Sequence, residues 1–95
     1  MLSSKQVRYL RSQAHHLRPS VEVGKQGPSA TLKAELSRRL GHEELLKVRI
    51  AADDRQEFRA LASDLAAEAK AELVQTIGRI ALLYREAEEP KIRFP

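Results

Sequence analysis

The sequence predicts an α/β fold: one compact domain with the element order αβαβαββ, in which three helices pack on a four-stranded mixed sheet. Two observations indicate this class. Segments with apolar residues at helical spacing alternate along the chain with short runs in which apolar and polar residues alternate. The 95 residues are enough for one modest core, and no repeat or low-complexity linker divides them.

The first helix is expected to begin after a capping serine, Ser3 or Ser4, and to run to about Leu17, before Pro19 ends it. Its core-facing residues follow a spacing of 3, 4 and 3: Val7, Leu10, Ala14 and Leu17. One position further on, basic side chains repeat this spacing, and a lysine stands before them. We call this set the basic ridge: Lys5, Arg8, Arg11, His15 and Arg18.

A short strand over residues 20–23 leads into a turn with glycine at each end. We call this turn the GxxG loop: Gly24, Lys25, Gln26 and Gly27. Glycine permits positive φ angles and lets another backbone come close. The free amides at the start of the next helix, together with the charge on Lys25, suit a phosphate group. The loop matches the GXXG clamp of KH-type RNA-binding modules, although the same pattern also occurs in plain turns.

The second helix is predicted for residues 29–40, with Ser29 as its N-cap and Gly41 just beyond its end. A turn over residues 42–44 then precedes a strand at residues 45–50. In this strand apolar residues alternate with Lys47 and Arg49, so one face should be buried and the other basic.

A third helix, capped by Asp53 or Asp54, is predicted to run to about Lys70, and strands follow at residues 72–77 and 80–84. Two right-handed crossovers would place the second and third helices on one face of the sheet. The first helix would then pack at an edge or on the other face.

The last strand carries apolar side chains for both faces of the sheet, Leu82 and Leu83, which predicts a covered, central position. Residues 86–95 are charged and contain two prolines, and we expect them to form a flexible tail.

Positive charge is concentrated in the half of the chain that holds the GxxG loop. Residues 1–28 contain five Lys or Arg and one acid (+4), residues 29–50 five and three (+2), and residues 51–95 seven and nine (−2). A localised basic surface suggests a polyanionic partner, most often nucleic acid, although an ordinary solvated face gives similar counts.

Several other function classes find no support in the sequence. Without cysteine there is no disulfide, thiolate metal site or cysteine nucleophile. His15 and His16 would diverge by about 100° on a helix, so we expect no metal, and no motif indicates a cofactor. No nucleophile–base pair is visible, which predicts a non-catalytic protein. No apolar run indicates a membrane span or a signal peptide, which fits a cytoplasmic protein.

Blocks of sequence along nearly the whole chain carry a family resemblance. They lie at residues 5–11, 14–19, 21–27, 42–49, 72–79, 82–85 and 90–92. In this order they resemble the YhbY-like, CRM-domain proteins (chloroplast RNA splicing and ribosome maturation). The family's glycine loop corresponds to Gly24 through Gly27, and its basic first helix corresponds to the basic ridge with His16. Gln26 stands where Asn is more usual, and both are neutral amides.

The resemblance implies a compact α/β domain similar to the C-terminal domain of bacterial translation initiation factor three. It also implies RNA binding, because stand-alone bacterial members are associated with precursors of the large ribosomal subunit. Plant members of the family use the domain in intron splicing.

We therefore predict a non-catalytic, monomeric protein that binds ribosomal RNA of large-subunit precursors through the GxxG loop and the basic ridge. Lys47 and Arg49 would contribute if their face of the sheet is open. The four aromatic residues are spread along the sequence, so we expect recognition of backbone and shape rather than base stacking. The alternative is a ribosome-associated adaptor whose ridge meets an acidic protein.

Overall fold

The computed structural model describes residues 2–95 and has the predicted order of elements. In chain order these are α1 (Ser4–Gln13), a 3₁₀ turn (Ala14–His16), β1 (Pro19–Val23), α2 (Ala30–Glu43), β2 (Leu45–Ile50), α3 (Arg55–Glu68), β3 (Glu72–Ile77) and β4 (Ile80–Tyr84). The αβαβαββ fold class is confirmed.

The four strands form one mixed sheet with the order β1-β2-β4-β3. β1 pairs with β2 in parallel, whereas β4 pairs antiparallel with both β2 and β3. The central position expected for β4 is therefore correct. Because β1, β2 and β3 all run in one direction, their carboxyl ends meet at a single edge of the sheet. We call it the loop edge, because the GxxG loop directly follows β1 there.

The two faces of the sheet carry separate cores. α2 and α3 share one face, as predicted, where Leu36, Leu40 and Phe58 pack on strand residues that include Val48 and Leu83. The opposite face carries α1, which the sequence left unplaced. There Leu10 of α1 and Ala14 of the 3₁₀ turn pack on a small cluster of strand residues: Leu45, Leu82 and Tyr84. α1 takes this face because β2 and β4 present apolar side chains on both sides.

α1 is shorter than the sequence predicts. A capping box opens it: the Gln6 amide donates to Ser3 Oγ at 3.1 Å, and the Ser3 amide donates to Gln6 Oε1 at 2.9 Å. The helix ends at Gln13, and after the 3₁₀ turn Leu17 is already extended, with ψ of 145°. Arg18 therefore lies outside the helix. Of the other residues of the basic ridge, Lys5, Arg8 and Arg11 lie in α1, and His15 lies in the 3₁₀ turn.

α2 is longer than predicted, because Gly41 lies inside it and the helix continues to Glu43. The cap is Glu44, a non-glycine residue with φ of 65°, whose amide donates to the Leu40 carbonyl at 3.0 Å. Arg85 supports this last part of the helix by donating to the Ser37 carbonyl at 2.6 Å and to Ser37 Oγ at 3.1 Å. The predicted turn over residues 42–44 is thus the end of a helix.

Residues 86–95, for which the sequence predicts a flexible tail, contain no helix or strand, and hydrogen bonds join them to the domain. The buried Glu44 carboxylate accepts from the amides of Ala87 (2.8 Å), Lys91 (2.7 Å) and Ile92 (2.7 Å). Phe94 packs edge-on against two rings, those of Tyr9 at 5.7 Å and Tyr84 at 5.9 Å between centroids. Three aromatics scattered in sequence therefore meet in space.

Candidate nucleic-acid interface

The GxxG loop is an open turn at the loop edge. The Gly27 amide donates to the Gly24 carbonyl at 3.0 Å, and Gly27 takes a positive φ of 82°. Lys25 and Gln26 at its tip are exposed, and their amides donate to no acceptor within residues 2–95. Nothing lies within 4 Å of the position that a Cβ at Gly24 would occupy. The loop is consequently free to contact a ligand.

The start of α2 adds a positive end to this loop. The Leu32 amide donates to Ser29 Oγ at 3.0 Å, which confirms Ser29 as the N-cap. No acidic residue lies in the first turn to neutralise the helix dipole. The amides of Ala30 and Thr31 have no intrahelical acceptor, because they belong to the first turn. Together with Lys25, these amides form a site that favours an anion.

A groove runs between α1 and the sheet, and three members of the basic ridge line it. Arg8, Arg11 and His15 form one side. The floor comes from three strand residues on the α1 face: Lys47 of β2 with Gln75 and Ile77 of β3. Lys47 Nζ donates to the Leu17 carbonyl at 3.1 Å, which fixes this lysine against the 3₁₀ turn and leaves its other donors available. We call this feature the basic groove.

Arg49 connects the basic groove to the GxxG loop. It is exposed and lies on the same face of β2 as Lys47, two residues nearer the loop edge. Its neighbour Ile50 pairs with Val23, the residue that directly precedes Gly24. From strand geometry the Cα atoms of Arg49 and Gly24 are about 8 Å apart. On the α1 face, Arg49 therefore lies between the basic groove and the loop, and the acid beside it there is Glu22 of β1.

The other side of the loop is acidic. Below Gln26 and Gly27, on the face that carries α2 and α3, a pocket is lined by Asp64 and Glu68 of α3. Lys33 also lines this pocket, but its Nζ is paired with the Glu68 carboxylate at 2.7 Å. A polyanion at the loop is therefore favoured on the α1 side and repelled on the α3 side.

A family model, the CRS1/YhbY (CRM) domain, matches residues 2–85. The chain belongs to the CRM-domain family. This CRM domain is 44% identical over 94 residues to a Haemophilus influenzae protein named as an RNA-binding protein, covering 99% of this chain and 95% of the relative. It is 38% identical over 91 residues to the Bacillus subtilis protein YqeI, covering 96% of this chain and 95% of the relative.

A solved structure has the same fold as this CRM domain. The solution structure of a Staphylococcus aureus protein covers 100% of both chains with a TM-score of 0.85 at 36% sequence identity. The compact arrangement of three helices on a mixed sheet is therefore shared with a relative over the whole chain.

Two predicted site residues lie apart from the basic groove of the CRM domain. Lys5, at the start of α1, borders a shallow depression beside Phe94 and Pro95. Arg18 is exposed in the link between the 3₁₀ turn and β1. The remaining predicted residues divide between the GxxG loop and the α1 face of the sheet, with Arg49 between the two groups.

Sequence reasoning did not include Gln75 and Ile77 in the site. With its amide oxygen turned toward Arg11, Gln75 accepts from Arg11 Nε at 3.2 Å and from Nη2 at 3.3 Å. Alternation along β3 identifies residues that share a face, but only the pairing of β3 with β4 brings that face next to α1. No local signal in the sequence could have shown this proximity.

Among residues 2–95, no group of three or more His, Cys, Asp or Glu side chains is arranged to hold a metal ion. Within the same range, no helix combines the length and the apolar character that a membrane crossing requires.

Proposed function

We propose that this CRM domain binds RNA and does so without catalysis, holding the sugar-phosphate backbone with the GxxG loop and the basic groove. The observation that carries the proposal is the placement of Arg49, which joins two otherwise separate cationic features on one face of the sheet. The name of the Haemophilus influenzae relative supports RNA as the ligand.

In this proposal the loop is the tighter contact. One phosphate lies against the free amides of the loop and of the first turn of α2, while Lys25 supplies a point charge. The absence of side chains at Gly24 and Gly27 lets the RNA backbone approach the protein backbone closely. Neighbouring phosphates then follow Arg49, Lys47 and Arg11 along the α1 face, away from Asp64 and Glu68.

We further propose that the RNA is ribosomal RNA in a precursor of the large subunit, which the protein binds as a monomer in the cytoplasm. This step rests on the family resemblance of the sequence blocks. The geometry adds one supporting feature: the cationic surface is long and open rather than a closed pocket, as recognition of an extended RNA backbone requires.

A charge reversal at the loop tip tests the backbone clamp. Replacing Lys25 and Gln26 by Asp (K25D/Q26D) should lower affinity for a short single-stranded RNA by about ten-fold or more, because one phosphate contact is lost and two repulsive charges are added. The matched control is Q56D/R59D on the exposed surface of α3, which makes the same change in charge away from the proposed path. Affinity would be measured by filter binding at fixed salt.

Equal affinity of K25D/Q26D and wild type, with equal melting temperatures, would contradict the clamp. The adaptor alternative has its own signature in cell extracts. If ribosomal partners stay bound after ribonuclease treatment, the cationic surface meets protein. If nuclease releases them, RNA carries the association.

A further inference from the structure

The register of the sheet places four side chains in one row on the α1 face, next to the loop edge. Glu22 of β1 pairs with Arg49 of β2, Arg49 pairs with Ile80 of β4, and Ile80 pairs with Ile77 of β3. α1 covers the part of this face that lies further from the loop edge, where it packs on β4 residues such as Leu82 and Tyr84. The row is therefore the part of the face that α1 leaves uncovered.

Ile77 and Ile80 form an apolar patch at one end of this row. Ile77 is 57% exposed and is the exposed large hydrophobic residue of the described chain, while Ile80 beside it is half-buried. Directly paired side chains on a sheet lie about 5 Å apart, so the two form one continuous surface. A single exposed isoleucine is ordinary in itself. Ile77 differs from an ordinary exposed isoleucine because cationic side chains surround it.

Cationic groups border the patch on two sides. Arg8 and Arg11 line the basic groove together with Ile77, and Arg49 is the next residue across the sheet from Ile80. The contact between Gln75 and Arg11 leaves the Gln75 amide nitrogen as a hydrogen-bond donor in the groove. The acid of the row, Glu22, stands at its far end, about 14 Å from Ile77 by strand spacing.

We propose that the patch of Ile77 and Ile80 holds an unpaired base of a single RNA strand, whose flanking phosphates lie on Arg8, Arg11 and Arg49. A base presents a flat, weakly polar face that packs on aliphatic surface and on guanidinium planes, and a polar edge that a side-chain amide reads. Gln75 would donate to a carbonyl group on that edge. A base inside a duplex cannot reach the patch, so single strands are preferred.

Charge complementarity favours RNA over a protein partner. A protein interface is usually depleted of charge at its centre and needs a much larger apolar area than two isoleucines provide. A nucleotide is small enough for the patch and brings the negative charge that the surrounding arginines require. This inference rests on the proposed function, but it adds base contact, which the sequence did not predict.

The test compares two ligands and two variants by fluorescence anisotropy. One ligand is a uridine decamer, and the other is the same ribose-phosphate chain without bases. Replacing Ile77 by Ala should weaken binding of the uridine decamer about three- to ten-fold, the loss expected for about one or two buried methylene groups, and leave the abasic chain unaffected. K25D/Q26D should weaken binding of both ligands, because the clamp contacts phosphate.

These arms separate the two proposals. If Ile77→Ala binds both ligands as wild type does while K25D/Q26D binds neither, the base site is overturned and the clamp stands. An equal loss of both ligands in Ile77→Ala would also overturn it, because the side chain would then act without a base. A concentration-dependent dimer in sedimentation that Ile77→Ala abolishes would assign the patch to a second copy of the chain instead.

Discussion

At the scale of single residues, Glu44 joins three parts of the chain. Its amide closes α2, its carbonyl accepts from the Arg85 amide at 2.9 Å, and its carboxylate binds the segment after β4. Burial alone raises the pKa of this carboxyl, but the amides of Ala87, Ile92 and Lys91 outweigh it and hold the pKa below its usual range. A buried charge is acceptable here because backbone donors surround it.

Replacing Glu44 by Gln should lower the free energy of unfolding by about 1–3 kcal/mol, because an amide cannot accept at both terminal atoms and one buried amide loses its acceptor. Urea denaturation at neutral pH measures this difference. Glu43→Gln is the matched control, since the Glu43 carboxylate is exposed and pairs with Arg39 at 3.0 Å, and such pairs contribute little.

The effect of Glu44→Gln on the free energy of unfolding should depend on pH. Because the folded-state pKa of Glu44 is lowered, the stabilisation is fully present above the unfolded pKa of about 4.3 and is lost as the pH falls through the folded value. The stability difference between wild type and E44Q should shrink in that acidic range. A difference that is constant from neutral pH down to pH 2 would mean that the charge of Glu44 is not what the amides recognise.

At the scale of elements, the GxxG loop uses its glycines for different reasons. Gly27 has a positive φ of 82°, which an L side chain rarely adopts. Gly24 has no such constraint, and a Cβ there would meet nothing within 4 Å. Gly24 is therefore not required by the fold, and its hydrogen in place of a side chain matters only to an approaching ligand.

Substitution by alanine should separate these roles. Gly27→Ala should lower the free energy of unfolding by about 1–2 kcal/mol, because Ala is strained in the left-handed region. Gly24→Ala should leave thermal stability within about 0.5 kcal/mol of wild type but weaken RNA binding, since the new Cβ keeps the RNA backbone away. Unchanged RNA affinity in Gly24→Ala would show that the loop does not approach RNA closely at this residue.

At the scale of the whole molecule, the two faces of the sheet differ in charge. The α1 face carries the basic groove and Arg49, while the loop side of α3 carries Asp64 and Glu68. Arg79 does not add to the cationic groups of the α1 face, because its guanidinium lies over the Phe58 ring at 5.8 Å on the α3 side. This asymmetry would orient an approaching polyanion before contact.

Salt dependence should report this asymmetry. Affinity for single-stranded RNA should fall linearly on a log–log plot against salt, and Arg11→Ala should reduce the slope by about 0.7, the contribution of one phosphate. Arg59→Ala on the exposed surface of α3 removes an equal charge and should leave the slope unchanged. Equal slopes for all three proteins would place Arg11 outside the RNA contact.

Local pattern alone determined most of the secondary structure. The predicted bounds of β2, β3 and β4 match the structure to the residue, because the apolar runs and the turn residues that delimit strands are local properties of the sequence. The end of α2 was wrong, because Gly41 resembles a cap while the actual cap is Glu44, whose positive φ is supported by a carboxylate bound to residues more than 40 positions away. The anchoring of residues 86–95 escaped prediction for the same reason.

The sequence by itself determined the class of the fold, the open glycine turn and the excess of positive charge that precedes and follows it. Only the tertiary structure decided that α1 packs opposite α2 and α3, and that Arg8, Arg11, Lys47, Gln75 and Ile77 meet in one groove. The physical reason is that strand order depends on the pairing of distant segments. Periodicity fixes which residues share a face of one strand, but not which strand lies beside it.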